Sequence, residues 1–193
     1  MRLFAALLPP QDVTDALADE VAALRRLPGA DGLRWTGRPG WHLTLAFYGE
    51  VDDGLVPDLS ARLERAARRT APFELALCGG GQFGRGRALW AGVEGPGGGL
   101  PALRLLAGRA EAAGRRAGVP TGEHRRYRPH LTLARSRQDL DARPYVDALD
   151  GFTGPVWTVT DLALVRSNLP DSGVPGERPR YEAVARSPLG ASG

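Results

Sequence analysis

The spacing of apolar residues changes period several times along the chain, and each change marks an element. Residues 2–8 (RLFAALL) form a nearly continuous apolar run, the pattern of a short buried strand. From residue 11 the spacing becomes helical: Val13, Leu17, Val21, Leu24 and Leu27 share one face of a helix predicted over 11–27. Asp12 and Asp15 near its start and Arg25–Arg26 near its end suit the helix dipole. A turn-rich stretch (PGADG, then GRPG) leads to a strand that runs to about Tyr48. A second helix is predicted over about 55–70, with Leu59, Leu63 and Ala66 in phase. Two strand-like runs follow, FELALC (73–78) and RALWAGV (87–93).

After the breaker EGPGGGLP the order recurs. A helix over 101–117 carries Leu103, Leu106, Ala110 and Ala113, then come a strand around residue 131 and a short helix near 142–149. Strands over 155–167 and 180–186 close the domain. The pentapeptide HLTLA stands in both halves, as residues 42–46 and 130–134. The interval from its histidine to the aromatic opening the next strand is 31 residues in one half (His42 to Phe73) and 27 in the other (His130 to Trp157). Recurrence of order and spacing together predicts a duplicated unit. The expected architecture is α+β, a bilobal pseudo-two-fold duplication. Two mainly antiparallel sheets face a central groove with helices outside. Residues 1–187 form one domain of two intertwined lobes, with repeat units of about 11–93 and 101–186, and 188–193 form a disordered tail.

Strand side chains alternate faces. His42 and Thr44 therefore share one face while Leu43, Leu45 and Phe47 take the other, and His130 and Thr132 are set against Leu131 and Leu133 in the same way. The leucines belong to a core; two imidazoles and two hydroxyls are left for the groove. That set suits a phosphodiester. Hydrolysis needs a base for the water proton and an acid for the departing oxygen, and imidazole, with an ordinary pKa near ~6.5, can serve as either. Threonine hydroxyls can donate to the non-bridging phosphoryl oxygens. No metal or other cofactor is required.

Composition narrows the chemistry further. All 25 basic residues are arginine; the absence of lysine excludes a Schiff base, a P-loop lysine and a lysyl-nucleotide intermediate. The net charge of +3 permits a nucleic-acid partner without demanding one. The single cysteine, Cys78, excludes an internal disulfide and is read as a small buried hydrophobe. The run MRLFAALLPP is too short for a signal peptide, and no stretch approaches a membrane span, so a soluble, cytoplasmic protein without a membrane partner is expected.

With these residues in view the sequence resembles the 2H phosphoesterases, whose mark is a duplicated His-x-Thr-hydrophobic motif. Within them it is most similar to the bacterial RNA 2',3'-cyclic phosphodiesterase (2'-5' RNA ligase-like) group. The likeness runs through RLFAAL, GWHLTLAFYGEV, GQFGRGRALWAGVE, RYRPHLTLAR and LALVRSNL…RYEAV. It implies hydrolysis of a terminal 2',3'-cyclic phosphate on RNA or a nucleotide to a 2'-phosphomonoester, with ATP-independent 2'-5' joining as related chemistry; a monomer is expected. It also implies His42 as general acid, His130 as general base, Thr44 and Thr132 on the phosphate, and Arg135 nearby. By strict alternation Arg135 points away from His130, so that last role requires a departure from the regular strand.

Rival readings have their own residues. His42, His124 and His130 could supply three nitrogens to a metal, but Arg125, Arg126 and Arg128 make a poor setting for a cation, and His124 alone reads as a surface residue. The same arginines are either a solvated run or an electropositive lip for RNA. Gly79, Gly81 and Gly84 spell GxGxxG, but a strand follows rather than a helix, so a hairpin is expected instead of a dinucleotide site. Phe4, Tyr48, Trp90 and Tyr181 are either core residues or stacking platforms for a base. Alternative functions are a 2H phosphodiesterase for 2'-5' oligonucleotides or small cyclic nucleotides, and a non-catalytic RNA-binding module.

Overall fold

Nine strands occur among the described residues, 1–120, 126–168 and 179–190 of the computed structural model. They are β1 (Arg2–Leu7), β2 (Arg34–Trp35), β3 (Leu43–Glu50), β4 (Phe73–Phe83), β5 (Ala88–Glu94), β6 (Leu131–Arg135), β7 (Trp157–Val159), β8 (Asp161–Asn168) and β9 (Arg180–Pro188). Four α-helices accompany them: α1 (Gln11–Leu24), α2 (Val56–Arg68), α3 (Gly99–Arg116) and α4 (Arg143–Leu149). All strand pairs are antiparallel, in the order β7-β4-β5-β6-β3-β1-β8-β9, with β2 added alongside β6.

The expected α+β architecture holds, and the two sheets join edge to edge. One half is β7-β4-β5-β6 with β2 alongside β6, the other is β3-β1-β8-β9, and they meet through β6 and β3 at the register pair Leu43–Leu131. Strands β7 and β8 stand six places apart in the order, which would be about 29 Å in a flat sheet. Yet only Thr160 separates Val159 from Asp161, a span of at most about 7 Å. The sheet must therefore curl into a half-barrel.

The strand expected over 155–167 is thus two strands in opposite halves, since β7 pairs with β4 while β8 pairs with β1 and β9. Each half also combines its HLTLA strand with hairpin strands from the other part of the chain: β6 pairs with β5, and β3 with β1, itself beside β8. Strand β2 lies in the stretch read as turns; two residues are too few to show a period.

Helix α2 packs against β8 and β9, α3 against β3, β4 and β5, and α4 against β4 and β5. The predicted apolar stripes face inward: Val13, Leu17, Val21 and Leu24 on α1, Leu59 and Leu63 on α2, Leu103 and Leu106 on α3 are all buried. Helix α1 ends at Leu24 rather than 27, with Arg25 as its C-cap, and Asp15 leaves the helix dipole to pair with Arg38. The Tyr48 hydroxyl donates to the Ala110 carbonyl (2.9 Å), tying β3 to α3 from within the core. Cys78 is half-buried beside Thr153 rather than enclosed.

Residues 188–190, expected in the tail, are part of the fold. Strand β9 includes Pro188, Leu189 is buried, and the Gly190 N–H donates to the carbonyls of Ala67 and Thr70 at the end of α2. An apolar residue with a core slot and a satisfied backbone donor stays in place. Among the described residues no helix is long and apolar enough to cross a membrane.

Candidate active site

The two HLTLA strands carry the same irregularity at the same place. On β3, Thr44 pairs with Ala6 and Ala46 with Ala5, so Leu45 has no partner of its own. On β6, Thr132 pairs with Trp90 and Ala134 with Leu89, so Leu133 is the extra residue. Each is a β-bulge, which reverses the alternation beyond it. Leu45 and Ala46 are both buried, as are Leu133 and Ala134. The fifth residue after each histidine consequently returns to the His-Thr face.

This corrects the expectation for Phe47 and fixes the face on which Arg135 lies. Phe47, expected in the core, is 52% exposed, with the Arg2 guanidinium 5.2 Å from its ring centre. Arg135, its counterpart, pairs with Ala88, which shares a face of β5 with Trp90, the partner of Thr132. Arg135 thus lies on the face of Thr132, and the departure from a regular strand that its role required is the bulge.

Each histidine stands against two aromatic rings. His42 is 4.6 Å from Phe4 and 5.3 Å from Tyr181, between ring centres. His130 is 5.0 Å from Phe83 and 6.1 Å from Trp90. Phe4 belongs to a small cluster with Ala6, Ala163 and Val165, separate from the main core and flanked by Leu8 and Tyr181. Of the four aromatics singled out, Tyr48 is therefore a core residue, while Phe4, Trp90 and Tyr181 frame the histidines. Phe83 was missed. A register shift between Leu77 and Gly80 turns it from the parity of Leu77 to that of Trp90, and nothing in the glycine-rich run signals such a shift. Gly81 lies under the Trp90 ring; a Cβ there would sit 2.3 Å from the indole. The GxGxxG residues accordingly form the β4–β5 hairpin.

The His130 Nδ1 lies 2.7 Å from the Arg128 carbonyl oxygen. Since a carbonyl only accepts, Nδ1 carries the proton and Nε2 of the neutral ring is an acceptor. His42 is pulled down to about 4, first by burial, with further lowering from the charges of His130 and Arg135; a backbone hydrogen bond at Gly40 opposes this. The mutual influence of His42, His130 and Arg135 puts these three groups within one electrostatic neighbourhood. Thr44 and Thr132, two residues on from each histidine, are partly buried. Arg126 and Arg128 are exposed; His124 and Arg125, the other members of the suggested metal set and basic lip, lie outside the described residues.

The lowered His42 value has a consequence for stability. The unfolded chain, with histidine near 6.5, binds a proton that the folded chain refuses until about pH 4. Stability therefore falls as pH drops from 6.5 toward 4 and is unaffected by this group above that window, a loss on the order of 3 kcal/mol. Melting temperatures of wild type and His42→Gln should diverge below pH 6.5, with the wild type losing more; parallel curves would contradict the buried neutral histidine.

Comparison with known proteins gives consistent matches. The model of the 2'-5' RNA ligase superfamily matches residues 13–171. A Thermus thermophilus protein named RNA 2',3'-cyclic phosphodiesterase is 36% identical over 178 residues, covering 90% of this chain and 85% of its own. A crystal structure of a Thermus thermophilus protein superposes with a TM-score of 0.74 at 30% identity over the whole of both chains. The E. coli LigT structure complexed with 3'-AMP superposes at 0.76, with 26% identity and 97% of each chain covered.

Proposed function

Because the chain belongs to the 2'-5' RNA ligase superfamily of 2H phosphoesterases, we propose that it hydrolyses a terminal 2',3'-cyclic phosphate on RNA to a 2'-phosphomonoester. The observation that carries the reading is the pair of equivalent His-Thr faces, bulged alike, with Arg135 on the same face as Thr132.

The cyclic phosphate lies between the two imidazoles. His130, oriented through Nδ1 by the Arg128 carbonyl, accepts a water proton at Nε2 as the water oxygen bonds to phosphorus. The bond from phosphorus to the 3'-oxygen breaks, and His42 delivers a proton to that oxygen. The products are a 3'-hydroxyl and a 2'-phosphate. Burial makes protonated His42 a stronger acid than free imidazolium, and the substrate anion supplies the negative charge that loads the proton onto it. Thr44 and Thr132 donate to the non-bridging oxygens, and Arg135 offsets the charge that builds on them. With a 5'-hydroxyl in place of water, the same proton movements leave a 2'-5' linkage. All five groups come from one chain, so the site needs no second copy; the enzyme is read as a cytoplasmic monomer acting on RNA ends, and the proton transfers call for no metal.

The test is product analysis on an oligonucleotide ending in a 2',3'-cyclic phosphate, with EDTA present throughout. The expected product is the 2'-phosphomonoester, formed at an unchanged rate in the chelator. A 3'-phosphate product, or loss of turnover in EDTA that returns with a divalent metal, would overturn the mechanism.

A further inference from the structure

The two-histidine site acts on the cyclic phosphate, which an RNA end and a mononucleotide share, so preference for RNA must come from groups beyond it. Next to it lies an open trough of about 780 Å³ along β2 and β6, lined by Arg25, Arg34, Arg87, Arg135 and Arg137, with Asp31 its one carboxylate. Arg34 and Arg135 stand directly opposite each other on the paired strands, so their side chains share the face that carries Thr132. Like charges directly opposite across a ladder destabilise it. Arg87 is held by Asp139 at 2.7 Å. Arg25, Arg34, Arg135 and Arg137 form no ion pair or side-chain hydrogen bond with the described residues.

We propose that this trough binds the phosphodiester backbone of single-stranded RNA on the 5' side of the reacting end, and so makes the enzyme select oligonucleotides over mononucleotides. The proposal rests on the reading of the two-histidine site. Arg135 is shared: it faces the reacting phosphate on one side and Arg34 on the other. An RNA strand leaving the histidines past Arg135 brings its next phosphates between Arg34, Arg137 and Arg25. There it relieves the repulsion of the apposed arginines, and each guanidinium offers a planar fork of donors to phosphate oxygens. Backbone contacts of this kind carry no base preference.

A second arginine-lined groove serves as the control. Between α2 and α3, Arg65 and Arg104 line a cleft that includes none of the site's residues. If arginine merely decorates this surface, removing charge from either place should act alike.

The experiment compares kcat/KM on a pentanucleotide and on a mononucleoside, both ending in a 2',3'-cyclic phosphate. Arg34 and Arg137 are exposed, so the double variant Arg34→Ala/Arg137→Ala should fold normally. It should lower the pentanucleotide-to-mononucleotide ratio at least ~10-fold, mostly through KM, as expected for lost phosphate contacts. Arg65→Ala/Arg104→Ala should leave that ratio where it was. Binding of a 2'-phosphorylated pentanucleotide should also lose salt dependence, its log–log slope falling by roughly 1.4 for two phosphates no longer neutralised. An unchanged ratio, an equal fall in the control, or a wild type without oligonucleotide preference overturns the trough alone. If the wild type hydrolyses neither substrate, the two-histidine reading fails. The salt slope then decides the trough by itself: a fall confined to the Arg34/Arg137 variant supports it, and no fall overturns it.

Discussion

Replacing either His42 or His130 with alanine lowers kcat/KM on a 2',3'-cyclic-phosphate oligonucleotide by at least ~10²-fold, the scale of lost general acid–base catalysis. The two losses should not multiply. In the proposed mechanism the histidines act on opposite sides of one phosphorus, and once one proton transfer is gone the other has little left to assist, so the double variant should be about as slow as the worse single one. Each imidazole packs on two aromatic rings, so some loss of melting temperature accompanies the substitution. Glutamine variants, which keep more of the volume but cannot shuttle a proton at neutral pH, separate packing from catalysis. Glutamine enzymes that stay folded and inactive support the assignment. Two alanine variants with rates near wild type would end the two-histidine mechanism.

The second large effect concerns the junction of the two half-sheets. Leu43 and Leu131 pair across it, and both are fully buried. Leu131→Ala removes core volume where β6 meets β3 and is expected to cost about 2–5 kcal/mol. For a chain of this size that is a fall of roughly 4–20 °C in melting temperature. Leu105, 52% exposed on α3, is the matched control, and its alanine variant should stay within about 0.5 kcal/mol of wild type. Because His42 and His130 directly precede β3 and β6, which carry Thr44 and Thr132, the Leu131 variant should also lose activity at temperatures where it remains folded. A stability loss under about 1 kcal/mol would show that the junction is not the core contact its burial indicates.

Much of this was legible before any coordinates. The helical stripes of α1, α2 and α3 follow from spacing alone, because a 3.6-residue period leaves one face apolar whatever it packs against. The pairing of His42 with Thr44, and of His130 with Thr132, follows from a two-residue period that holds over any short regular strand. The polyglycine run was readable as a hairpin because no helix follows it. That residues 188–190 belong to the fold was not readable: Leu189 looks like tail until the end of α2 offers it a slot.

The sequence by itself determined the element types, the duplicated motif and the residues offered for catalysis, since all of these depend on local periods and side-chain chemistry. Tertiary structure decided which strands stand together, because an antiparallel ladder can form between segments any distance apart in the chain. It therefore set β4 and β5 beside the second motif, split β7 from β8 at Thr160, and placed Phe83 and Trp90 against His130. It also decided the fate of Phe47 and Arg135. A bulge is imposed by the register of the neighbouring strand, not by the residues that bulge, so HLTLA carries no mark of it. The unpaired Leu133 turns Arg135 to the face of Thr132 and lines it up with Arg34, which no alternation rule would have brought there.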